Sequence, residues 1–92
     1  MSKPTAQELA EALELAKQMR EQGKDTHFIA KSLLSHHYRI GYLEEVLYTV
    51  ERYLRSGMSE NEHRRLLKAL DKARQAEART AKEIPEEGLG LG

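Results

Sequence analysis

Apolar residues recur every three or four positions along most of this chain, and the recurrence is interrupted at Gly23, Gly41 and Gly57. Such spacing marks amphipathic helices, because a 3.6-residue turn brings positions i, i+3, i+4 and i+7 to one face. In the first segment Leu9, Ala12, Leu13, Ala16 and Met19 share a side, with Glu8, Glu11, Glu14, Lys17 and Glu21 mostly on the other. Thr5 and Glu8 stand at capping-box spacing, in which the threonine oxygen accepts from one orphan amide and the glutamate reaches back to another. Gly23 suits the left-handed residue that closes a helix, so a helix over about residues 6–22 is predicted.

Asp25 or Thr26 is placed to cap a second helix over about residues 26–37, with Phe28, Ile29, Leu33 and Leu34 as its apolar positions. Gly41 is the expected break after it, residues 38–41 forming a corner; one bent continuous helix is the alternative. The strongest periodicity follows. Ile40, Leu43, Leu47, Val50 and Leu54 step by three, four, three and four, with Val46 beside them, and predict a third helix over about residues 40–56 that buries this stripe. Ser59 and Glu62 repeat the capping-box spacing and open a fourth helix over about residues 60–82, with a stripe of Leu66, Leu70 and Ala73 widened by Leu67 and Ala69. Beyond Ala73 the stripe shrinks to alanine, and this half is expected to project as a solvated extension. Pro85 is expected to stop the helix, leaving 85–92 as a disordered tail.

The expectation is an all-α fold: a small bundle of three to four short helices, antiparallel or orthogonally packed, in a single domain over residues 1–84. Its core would be drawn from these leucines, isoleucines and valines, together with Leu15, Met19 and Phe28. Composition changes the picture little. Apolar residues make up 39% of the chain and charged residues 33%, a balance that fits narrow buried stripes with broad charged backs. Fifteen basic residues cancel fifteen acidic ones, so no global field draws the chain to nucleic acid or membrane. The absence of cysteine excludes disulfides and thiolate chemistry. No apolar run approaches the roughly 20 residues that span a bilayer, and Met1 to Thr5 lead into a charged helix without a signal-peptide core. A cytoplasmic location is expected.

Candidate chemistry is sparse. Arg64, Arg65, Lys68, Lys72 and Arg79 form a basic row opposite Leu66 and Leu70, a pattern that could meet successive phosphates, although no aromatic residue interleaves the row to stack a base. The plain reading of the row is a solvated helix back. Residues 26–34 resemble the first helix of a helix-turn-helix, with the turn then due at Leu34 to His36, but Glu44 and Glu45 fall where phosphates would repel them. His27, His36, His37 and His63 include no i,i+4 pair, so a metal site would need tertiary convergence; His36 and His37 read better as cations near a helix C-terminus. Tyr42, Tyr53 and Arg52 border Val46 and Val50, and tyrosine and arginine are common interface anchors. With no glycine-rich phosphate loop and no cavity expected, catalysis, cofactor, metal and small-molecule substrate are all unexpected. The sequence therefore reads as a non-enzymatic protein-interaction module that self-associates or docks on a protein partner through Tyr42, Val46, Val50, Arg52 and Tyr53. The alternative is nucleic-acid binding or regulation through the basic row or a degenerate helix-turn-helix.

Overall fold

The structure, a computed structural model, describes the backbone of residues 1–89 and the side chains of residues 1–81. It contains three helices in the order α1 (Ala6–Glu21), α2 (Ile29–Arg55) and α3 (Glu60–Leu89). The chain divides into two compact units, Met1–His37 and Tyr38–Gly92, with the boundary inside α2.

In the first unit, α1 opens on the predicted capping box. The Glu8 amide donates to Thr5 Oγ1 at 3.0 Å and the Thr5 amide donates to Glu8 Oε1 at 2.8 Å. It closes on the paired bonds of a Schellman motif: the Lys24 amide donates to the Met19 carbonyl at 2.9 Å and the Gly23 amide to the Arg20 carbonyl at 3.2 Å. Gly23 sits at φ 68°, where a Cβ would crowd the backbone. The start of α2 is built differently from an ordinary cap. Asp25 reaches over residues 26–29, and its buried carboxylate accepts from the Ala30 amide at 2.8 Å and the Lys31 amide at 2.9 Å. The intervening Phe28 takes the left-handed conformation at φ 58°. Ala16 and Ala30 are the buried apolar residues of this unit, while Leu15, Phe28 and Ile29 are exposed.

Of the two courses open at Gly41, the structure takes the continuous one. Gly41 lies within α2, where glycine costs about 1 kcal/mol relative to alanine, a penalty that the helix-favouring residues on either side absorb. Residues 34–36 are accordingly helical, so the turn that a helix-turn-helix needs there is absent. His36 and His37 lie in mid-helix, away from any helix C-terminus.

In the second unit α2 and α3 form an antiparallel hairpin joined by residues 56–59. Cross-contacts run from Tyr38 with Arg79 and Arg39 with Glu77 at the far end to Arg52 with Glu62 and Tyr53 with His63 beside the turn. The end of α2 repeats the Schellman pattern, with the Met58 amide donating to the Tyr53 carbonyl and the Gly57 amide to the Leu54 carbonyl; Gly57 and Met58 have φ 74° and 62°. At the start of α3 half of the second capping box is present. The Glu62 amide donates to Ser59 Oγ at 3.3 Å, but the Ser59 amide goes to Ser56 Oγ because the Glu62 side chain is taken by arginines.

The buried apolar residues of the hairpin are alanines: Ala69, Ala73 and Ala76. Their small side chains let α2 approach closely, and the expected solvated half of α3 is instead packed against α2 through Ala76, Glu77 and Arg79. On the α2 side Thr49 is buried, with Tyr42, Val46 and Tyr53 half-buried. Thr49 is tolerated there because its hydroxyl donates to the helix's own carbonyls at Glu45 and Val46, each at 3.0 Å. The predicted core stripe is one residue out of register with this face. Ile40, Leu43, Leu47 and Leu54 keep 48%, 47%, 60% and 62% of their surface exposed. The helix carries two neighbouring stripes of identical spacing, and the less apolar one, residues 39, 42, 46, 49 and 53, meets α3. Pro85 does not stop the helix as expected: the α3 backbone continues through it to Leu89, the proline forfeiting only its own amide bond within a long helix. Of the expected tail, residues 90–92 lie outside the described residues, as do the side chains from residue 82.

Candidate functional site

Two surfaces of the hairpin stand out. The first is the exposed α2 stripe, Ile40–Leu43–Leu47–Leu54 with the half-buried Val50 completing its heptad spacing. The second is a groove of about 320 Å3 between α2 and α3, lined by Glu45, Tyr48, Thr49 and Arg52 from one helix and Arg65, Lys68, Ala69 and Lys72 from the other.

The residues expected to form a protein interface are divided: Val50 belongs to the stripe, Arg52 lines the groove, and Tyr42, Val46 and Tyr53 lie on the side of α2 that meets α3. Tyr42, Val46, Val50 and Tyr53 are half-buried; Tyr42 packs edge-on to Tyr38, and Tyr53 lies 5.7 Å from the His63 ring. Arg52 forms a fork on Glu62, from Nε to Oε1 at 3.2 Å and Nη2 to Oε2 at 3.0 Å, and its Nη1 donates to the Tyr48 hydroxyl at 3.1 Å. Arg65 joins the same carboxylate at 2.9 Å. These bonds hold Glu62, chiefly through Arg52, below its ordinary carboxylate pKa despite the opposing effect of burial.

The basic row separates into two groups. Arg65, Lys68 and Lys72 reach the groove, whereas Arg64 donates to Asn61 Oδ1 and Arg79 to the Tyr38 hydroxyl, both away from it. What the sequence row lacked, an aromatic partner, comes from α2 as Tyr48, and a fourth cation comes as Arg52. Neither residue could be joined to the row without knowing how the two helices pack. Among the described residues no group of three or more His, Asp or Glu side chains could hold a metal ion, and no helix is long and apolar enough to cross a membrane. His27 meets Thr26 Oγ1 at 3.1 Å, and the His63 ring lies against Tyr53.

Acid sensitivity follows from the two buried carboxylates. Burial pushes the Asp25 carboxyl up, but the Ala30 and Lys31 amides and Arg20 outweigh it and leave its pKa lowered; Glu62 is lowered as well. A carboxylate with a depressed folded-state pKa contributes stability that is complete above its unfolded value and lost as pH falls through the folded one. Tm is therefore expected to stay level from about pH 7 to pH 5 and to fall below about pH 4. Thermal unfolding followed by circular dichroism checks this, with E62Q expected to lower the neutral Tm and flatten the acid fall.

The chain is a small helical protein, and no protein-family model, curated protein or solved structure matches it.

Proposed function

We propose that the chain is a protein-interaction module that self-associates through the exposed stripe of α2. One observation carries this reading: Ile40, Leu43, Leu47 and Leu54, the most regularly spaced large apolar residues of the sequence, stay 47–62% exposed while alanines fill the hairpin. A stripe of isoleucine, leucines and valine stepping by three and four is the pattern that a second helix of the same spacing covers by knobs-into-holes packing. A second copy offers that spacing, and a two-fold contact makes one patch complementary to itself.

Magnitudes support a reversible contact. Covering four half-exposed side chains on each of two copies yields on the order of 6–12 kcal/mol gross, at about 1.5–3 kcal/mol per fully buried side chain. Association costs about 4–15 kcal/mol, so the net gain is at most about 8 kcal/mol and the dimer is expected to be weak, with a dissociation constant no tighter than about micromolar. Sedimentation equilibrium from about 10 µM to 1 mM tests this: a weight-average mass climbing from 10.5 kDa towards twice that value is expected. A mass fixed at one chain throughout would overturn self-association and leave a different protein as the occupant.

A further inference from the structure

We infer that the groove between α2 and α3 is a binding site for a nucleotide unit, its phosphate held by Lys68 and Lys72 and its base laid on Tyr48. This site is independent of the self-association stripe, since none of Ile40, Leu43, Leu47 and Leu54 lines it.

The charge of the lining is one-sided. Arg52, Arg65, Lys68 and Lys72 face the groove against a single carboxylate, Glu45. The two arginines are fixed by Glu62, which stands outside the lining. Their charge is thus partly answered, and their planes are held in place. The two lysines form no ion pair among the described residues. One turn apart on α3, they stand about 6 Å from each other along the axis, close enough to grip one phosphate group or two successive ones. Ammonium groups on flexible stems suit a phosphate as point charges.

Tyr48 gives the site its second half. Its ring borders the same groove, keeps 56% of the residue's surface exposed and has the Arg52 guanidinium carbon 5.6 Å from its centroid. An aromatic face beside a guanidinium and a basic channel is the arrangement on which single-stranded nucleic acids stack their bases. A volume of about 320 Å3 lies at the small end of the ligand-site range, about 300–1,000 Å3, which fits one nucleotide unit better than a large cofactor. Two sources could present that unit: a single strand of RNA or DNA, or a free nucleotide.

The test is an NMR titration of the labelled full chain with four probes: oligouridylate of about ten nucleotides, UMP, inorganic phosphate and oligoglutamate, at low and near-physiological salt. Shifts at Tyr48, Lys68 and Lys72 with oligouridylate or UMP, larger than with phosphate or oligoglutamate, are the expected result. Tighter binding of oligouridylate than of UMP assigns the site to a single strand; equal binding assigns it to the free nucleotide. The double variant K68Q/K72Q is expected to weaken nucleotide binding tenfold or more and to reduce the oligonucleotide's salt slope by about two. Y48L is expected to weaken nucleotide binding roughly tenfold while leaving the response to inorganic phosphate in place. Equal shifts from oligoglutamate and oligouridylate, or no shift at these three residues, would overturn the proposal. The spectra of both variants report in the same experiment that the helices are intact.

Discussion

L47E is expected to weaken self-association at least about a hundredfold while leaving the helices folded. Leu47 stands at the centre of the α2 stripe and is 60% exposed in the single chain, so a glutamate there is solvated in the monomer and disturbs no contact with α3. In a two-fold contact built on the stripe, two such carboxylates would face each other in an apolar setting, a charge burial that proteins do not tolerate unpaired. The dissociation constant is expected to rise at least about a hundredfold, since 1.4 kcal/mol is each factor of ten and both copies lose an apolar contact. Sedimentation would then hold near the mass of one chain up to concentrations about a hundredfold above those at which the parent chain dimerises, with unchanged far-ultraviolet circular dichroism. Retention of the wild-type concentration dependence would place the contact elsewhere on the molecule.

A73L is expected to be the most destabilising of simple substitutions in the hairpin. Ala73 is 5% exposed and lies between Ala69 and Ala76 on the face that meets α2. Adding three carbons there forces the helices apart or drives the leucine off its rotamer, at about 1–3 kcal/mol. For a chain of this size that corresponds to a Tm fall of order 10 °C. The same change at exposed Ala78 should stay within about 0.5 kcal/mol. Thermal unfolding of the pair separates the two cases. Equal Tm values would mean that alanine size does not set the helix separation.

The contrast between α1 and α2 shows how far periodicity alone reaches. Thr5, Glu8 and Gly23 act within a few residues of one another, so their roles were legible from spacing, as was the closing turn at Gly57. The packing face of α2 was not. Two stripes one residue apart run along the same helix, and periodicity ranks them by hydrophobicity without knowing what opposes them. Since α3 presents alanines, it is matched by the partly polar ring of Tyr53 and stem of Arg39, which reach across and pair with His63 and Glu77. Alanine carries little weight as a core residue in a sequence, so the second half of α3 reads there as an extension. The groove was half legible: Arg65, Lys68 and Lys72 share a helix, whereas Arg52 and Tyr48 join them only through tertiary packing. At Gly41 a local rule failed for an ordinary reason, because one glycine's preference is small beside that of a 27-residue helix.

The short connection at residues 56–59 also governs how quickly the hairpin forms. Its partners meet by closing a loop that starts at four residues and lengthens one turn at a time, from Tyr53 and His63 outward to Tyr38 and Arg79. Loops of about ten residues close in roughly 10–100 ns, and helical proteins dominated by such near-neighbour contacts fold in microseconds to milliseconds. The turn itself, where Gly57 and Met58 both hold left-handed geometry, is then expected to set the rate.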